Sequence, residues 1–224
     1  MPMPSAQSVA RVALVLAALL SLTAVWVAIG AVLREAADQR IEAWSEAKPP
    51  TAEQWAAAER AIQRAEAFSL GSAELHDLRG RWHSWGALIA ATPAVEVQQL
   101  RLARDAFRAA IALRPSWPYH WMNLAQTEYA LNPRSAEGAA ALEAALARGV
   151  RGLRLQTQLL QLADRQWSRW NDAQRAAVAP VLRRGFRERP ERLGPVALGL
   201  GRMDWMCAQA DLESVRAQCR ALGW

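Results

Sequence analysis

The sequence predicts an all-α protein: one N-terminal transmembrane helix followed by a tetratricopeptide-like domain of antiparallel helical repeats. Three observations carry that prediction. Ala, Leu, Arg, Gln and Glu dominate while Ile, Thr, Tyr and Phe are scarce, a helix-forming and strand-poor composition. Val12 to Leu33 is a run of 22 residues without a charge. Beyond it, Pro, Gly and Asn-Pro punctuation recurs at intervals that leave segments of helical length.

The apolar run comes first along the chain. As a helix it is about 33 Å long, against a hydrocarbon core of ~30 Å. A cleavable signal peptide competes, because Arg11 and the amino terminus precede the run. Signal h-regions are shorter, about 7–15 residues, and end at a small-x-small site. Here the run passes unbroken into Arg34, Glu35, Ala36 and Ala37, and we read it as an uncleaved anchor. Positive charges near its two ends nearly tie: Arg11 on one side, Arg34 and Arg40 on the other. A ten-residue tail before a first apolar segment commonly stays in the cytoplasm, so the expectation is N-terminus inside and bulk outside. The soluble domain is then expected on the non-cytoplasmic side, which in a bacterial inner membrane is the periplasm. Residues 1–47 are then tail, anchor (about 12–33) and helical extension, and residues 51–224 the repeat domain.

The remaining helices follow from their start and stop signals. Pro49-Pro50 ends the extension, and Thr51 with Gln54 forms a capping box for a helix to about Phe68. Gly71-Ser72 turns into Ala73–Ala90, Thr92-Pro93 into Ala94–Leu113, and Ser116 caps a helix with Pro118 in its first turn. Asn132-Pro133 ends that helix and Gly149 ends Ser135–Ala147. Further helices are expected at Leu153–Trp167, at Asp172–Arg187 (kinked or split by Pro180), at Glu191–Met206 and at Asp211–Leu222.

Ala103, Phe107, Ala110 and Pro115 have the small-x3-aromatic-x2-small-x4-Pro spacing of the second helix of a tetratricopeptide unit. Trp121, Leu124 and Ala125 fit the first helix of the next unit, although Tyr129 falls one place late. Looser copies surround them: Gly138, Leu142 and Ala145, and Ala58, Ile62 and Ala65 before Leu78 and Trp82. Stacked units of this kind serve as binding platforms. With Trp121 as a core position, Tyr119, Met122, Asn123, Gln126 and Tyr129 are expected to look into a partner groove. Asn and Gln suit a peptide backbone there, and a bland surface helix is the competing reading.

The run RPSWPYHWMNLAQTEYALN (Arg114–Asn132) resembles the R-P-x-W-P-x-x-W-x-N-L-A segment of VpsP-type proteins of bacterial polysaccharide biosynthesis. So does the downstream pattern of Gly149, Gln156, Leu162, Trp167, Arg175, Val178 and Arg184-Gly185. The similarity covers about Ala94 to Phe186 and departs at Gly149–Leu153, where the family has a G-P-W-E-P turn. It implies a membrane-anchored accessory protein whose partners belong to a polysaccharide synthesis or export complex. The alternative is an anchored repeat protein of another envelope pathway, such as c-type cytochrome assembly. An unrecognised enzyme is a third.

Chemistry is sparse. No P-loop, GxGxxG, GxSxG or HExxH occurs, and no cofactor or metal is expected. His76 and His83 share a helix face without a carboxylate or Cys at zinc spacing, and read as structural. Asn132 to Arg192 carries twelve Arg against six acidic residues. There Arg165, Arg169 and Trp170 could contact a glycan or an anionic lipid. Nucleic acid would suit such a surface too, but a translocated domain would not meet it. Cys207 and Cys219 could pair if the chain turns between them near Gln209–Asp211, with Asp211 capping the last helix. Two buried free thiols are the alternative.

Overall fold

The computed structural model describes residues 6–45, 47–69, 71–208 and 213–224. Eleven α-helices and no strand occur among the described residues: α1 (Ala6–Glu42), α2 (Ala52–Ala67), α3 (Ala73–Leu88), α4 (Pro93–Leu113), α5 (Pro118–Leu131), α6 (Ala136–Ala147), α7 (Leu153–Gln166), α8 (Asp172–Glu188), α9 (Pro190–Gly199), α10 (Met203–Cys207) and α11 (Glu213–Ala221). Sequential helices pair as antiparallel hairpins, α1/α2, α3/α4, α5/α6 and α7/α8, as short loops require. The first helices of the hairpins also touch one another, α1 on α3, α3 on α5 and α5 on α7. This is a helical-repeat stack with α1, α3, α5 and α7 forming one layer.

The starts of these helices are set by local chemistry. Thr51 Oγ1 accepts from the Gln54 amide while Gln54 Oε1 accepts from the Thr51 amide, closing the capping box. Ser72, Thr92 and Ser135 accept the third amide of their helices, and Asn171 with Gln174 closes a second capping box. Ser116 does not cap: Trp117 occupies the N-cap of α5, and Pro118, with no N–H to satisfy, starts the helix. Two further expectations are revised. Pro180 lies inside α8 without splitting it. The helix expected over Glu191–Met206 is instead α9 and α10, because Gly201 adopts φ +67°. The Arg202 amide donates to the Ala197 carbonyl (2.7 Å) and that of Gly201 to Leu198 (3.0 Å), a Schellman stop that only a left-handed residue permits.

α1 is continuous through the apolar run, which makes it a candidate membrane span. Its side chains there face outward, with Leu14 71%, Leu20 70% and Val32 68% exposed. The helix does not stop at a domain boundary, however. Ala37 and Ile41 are buried among Ala58, Ile62, Leu78 and Trp82, so the extension assigned to residues 1–47 is the first helix of the stack. Trp55 and Trp82 lock α2 to α3: their rings stack at 4.2 Å, and each indole N–H donates to the other's backbone carbonyl.

The second core runs from α4 to α11. Ala103, Phe107, Ala110 and Leu124 are buried, whereas Pro115 is exposed at the α4–α5 corner. Trp121 is only half-buried, with its N–H donating to the Pro115 carbonyl (2.7 Å) and the Arg148 guanidinium over its ring. The fully buried position beside it belongs to Met122. At the carboxyl end Cys207 and Cys219 are joined by a disulfide, their Cα atoms 6.1 Å apart. Closing so short a loop stabilises the terminus by roughly 3 kcal/mol. The turn expected at Gln209–Asp211, with the Asp211 cap, lies outside the described residues.

Gly80 gives a direct test of the α3–α4 contact. A Cβ there would lie 2.7 Å from Phe107 Cδ1, inside any real contact distance. Gly to Ala within a helix ordinarily stabilises by about 0.5–1 kcal/mol, but overpacking costs about 1–3 kcal/mol. Gly80→Ala should therefore lower the urea midpoint, and the second substitution Phe107→Leu should restore part of the loss.

Candidate functional site

The layer formed by α1, α3, α5 and α7 is concave, and a groove of about 450 Å³ runs across it. Ile41, Glu42 and Trp44 wall one end; Gln161, Arg165 and Gln166 wall the other. A polar seam adjoins it: Arg81, Asn123, Arg154 and Gln158 line the groove, while Asp77 and His120 lie outside its lining. On α3, Asp77 Oδ1 accepts from His120 Nδ1 (3.0 Å) and Asn123 Nδ2 (2.8 Å), both on α5. Its Oδ2 accepts from Arg81 Nε at 3.1 Å. Arg81 reaches on to α1, donating to Glu42 Oε1 (2.6 Å) and to Asp38. On the far side Gln158 Nε2 of α7 donates to Asn123 Oδ1 (2.9 Å), and Arg154 pairs with Glu42 at 2.7 Å. One continuous network thus ties four helices together.

Burial alone would raise the pKa of Asp77, since charge is costly away from water. The His120 hydrogen bond, the Arg81 charge and the Asn123 amide outweigh it and hold the carboxyl below its usual value. His83, in contrast, is pushed down by burial despite its hydrogen bond to Gln99. That bond links α3 to α4.

The five residues expected in the groove divide. Asn123, Gln126 and Tyr129 line it. Met122 does not, because it is wholly buried in the main core. Tyr119 opens instead onto a second cavity of about 290 Å³, beside Trp117, His120, Arg34 and Arg154. The helix is rotated by one residue from the expected phase, because Met122 rather than Trp121 holds the core position. Of the three residues assigned to glycan or anion contact, Arg165 and Arg169 are exposed, the latter donating to the Arg165 carbonyl at 2.7 Å. Trp170 is 3% exposed, packed between Tyr129 and Trp167, and presents no face to a sugar.

The groove is rich in amides: Asn123, Gln126, Gln158, Gln161 and Gln166. Gln158 Oε1 and Gln166 Oε1 are buried there without a protein partner, which is costly unless water or a ligand satisfies them. Trp44 and Trp85, packed edge to face at 6.0 Å, and Tyr129 add apolar surface. The charges are mixed, with Glu42 and Glu96 against Arg81, Arg154 and Arg165. Amide side chains of this kind can both donate to and accept from a peptide backbone. No group of three metal-ligating side chains occurs among the described residues. No family model, curated protein or solved structure matches the chain.

Some of the residues that carry the family resemblance meet between α7 and α8. Arg175 Nε donates to the Trp167 carbonyl (2.9 Å), Arg184 to the Val150 carbonyl (2.9 Å), and a Cβ on Gly185 would press on Gln156. They set the geometry of α7 against α8. The sequence reading missed Asp77 and His120 as partners, since 43 positions separate them. A signal was present: α5 is almost entirely buried yet carries His120, Asn123, Thr127 and Glu128.

Removing the Asp77 carboxylate would leave Arg81 and His120 without their common acceptor. Asp77→Ala should destabilise by about 3–5 kcal/mol in urea denaturation. Because the folded pKa is lowered, the carboxylate's contribution is complete above the unfolded value and is lost as pH falls through the folded one. The gap between wild type and Asp77→Ala should therefore hold from about pH 8 to pH 5 and close below about pH 4.

Proposed function

We propose that this protein is a non-catalytic, membrane-anchored scaffold whose tetratricopeptide-like stack captures an extended peptide segment of an envelope partner. The observation that carries this is the concave groove with its row of amides and two unpaired, buried Gln oxygens. An extended chain hydrogen-bonds such amides through its own backbone. Three helix-to-helix steps of about 9 Å span ~27 Å, which about eight extended residues would cover.

The resemblance of Arg114–Asn132 and the residues after it to VpsP-type proteins supports a partner in bacterial polysaccharide synthesis or export. The site is assigned to the periplasmic side of the inner membrane, with α1 as a single-pass anchor and the N-terminus in the cytoplasm. The Cys207–Cys219 pair suits an oxidising compartment. Arg165 and Arg169, without Trp170, are the residues left for an accessory glycan or anionic-lipid contact.

Capture tests this reading. Gln126 and Gln161 line the groove and are only partly buried. Gln126→Ala with Gln161→Ala should abolish partner recovery from detergent-solubilised membranes while the melting temperature stays within a few degrees of wild type. If the double variant recovers the same partners at wild-type yield, the concave face is not the docking site.

A further inference from the structure

The repeat stack does not stand off from the apolar part of α1. Gly30, three residues before the end of the uncharged run, is buried against the α2–α3 corner. A Cβ on Gly30 would overlap the Phe68 carbonyl oxygen and lie 3.3 Å from Phe68 Cβ. One turn further down, the Trp26 ring faces the Phe68 ring, centroids 6.3 Å apart. At 1.5 Å per residue, Gly30 and Trp26 lie about 4 and 10 Å below Leu33. Phe68 is therefore level with the last two turns of a span that itself just fits the hydrocarbon.

The next corner on the same end of the stack is held at a fixed height above it. Arg34, the first charge after the apolar run, lies 3.9 Å from Glu74, and Glu74 accepts from Arg114 at 2.8 Å. Arg114 starts the α4–α5 corner, where Leu113 is 56% and Trp117 37% exposed. The Arg114 guanidinium lies 4.1 Å from the Trp117 ring centroid, and Trp117 stacks on Tyr119. An exposed Trp backed by a half-buried Tyr and an Arg, at the height where charge resumes on a spanning helix, is the composition of a membrane–water interface.

We infer that the α2–α3 and α4–α5 corners form a second membrane contact, with Phe68 at the hydrocarbon boundary and Leu113 and Trp117 in the headgroup layer. The occupant of this face is the bilayer that α1 enters, because the face is continuous with α1's exposed apolar surface. The inference rests on the reading of α1 as a span. It implies that the stack is seated on the membrane rather than tethered above it.

The test is environment-sensitive fluorescence on the full-length protein in vesicles of phosphatidylethanolamine and phosphatidylglycerol. The native cysteines are paired, so single cysteines can be labelled with a nitrobenzoxadiazole dye at Ser69, Ser116, Lys48 and Ser21. Lys48 lies at the opposite end of the stack and Ser21 in mid-span. Dyes at 69 and 116 should emit to the blue of the dye at 48. They should also be quenched about twofold or more by nitroxide lipid and be shielded from iodide. Water-like behaviour at 69 and 116, with the dye at 21 in lipid, overturns the contact and leaves the anchor intact. Water-like behaviour at all four positions overturns the anchor as well. Lipid-like behaviour at 48 overturns the upright seating.

Discussion

A buried carboxylate holds the functional layer of this protein together. Asp77 is largely withdrawn from water, so its oxygens are satisfied by side chains instead. His120 and Asn123 come from α5 and Arg81 from one turn along α3. Arg81 then requires its own acceptors, which α1 provides, and the Asn123 carbonyl oxygen requires a donor, which α7 provides. Apolar contacts along these helices would tolerate sliding by a turn; directional bonds to one carboxylate do not. The register of α1, α3, α5 and α7, and with it the shape of the groove beside the seam, depends on this network.

The division of labour within each hairpin follows. The second helices, rich in small residues, are packed by volume: Ala103, Phe107 and Ala110 on α4, and Ala141, Leu142 and Ala145 on α6. The first helices are joined largely by polarity. An Ala-rich contact permits close approach and sets how tightly each hairpin closes, as Gly80 under Phe107 illustrates. The polar layer fixes the register of the first helices and leaves amide groups along the groove. Gln158 joins the two, its nitrogen bonded into the seam and its Oε1 buried beside the groove without a hydrogen-bond partner.

This division also explains what could be read from the sequence. Helix boundaries were legible because Thr51, Thr92, Ser135 and Gly149 act within a few residues of themselves. The packed helices were legible because small-x3-aromatic spacing reports a face directly, as it does for Ala103, Phe107 and Ala110. The seam was not. Asp77, His120 and Gln158 belong to three hairpins, and no periodicity links a carboxylate to a histidine 43 positions away. The same blindness misplaced Met122 and Trp170. A helix covered on three sides has no single apolar face, so taking Trp121 as the inward position rotated the expected groove. Gly201 shows a different failure: one residue of positive φ divides what pattern alone joins.

The continuity of α1 gives the groove an orientation relative to the bilayer. α1 is at once the candidate span and, through Ile41, Glu42 and Trp44, the first wall of the groove. No flexible linker separates the two roles, since Ala37 and Ile41 are locked into the first core. With α1 crossing the bilayer as proposed, the helices of the layer stand along the membrane normal and the groove crosses them, parallel to the surface. Glu42 is nine residues past Leu33, which places the groove about 13 Å above the end of the apolar run. A segment captured there would lie along the membrane close to its headgroups. That geometry favours a juxtamembrane segment of another integral protein over the distant end of a soluble one, because the former is already confined to that height and pays less entropy to dock.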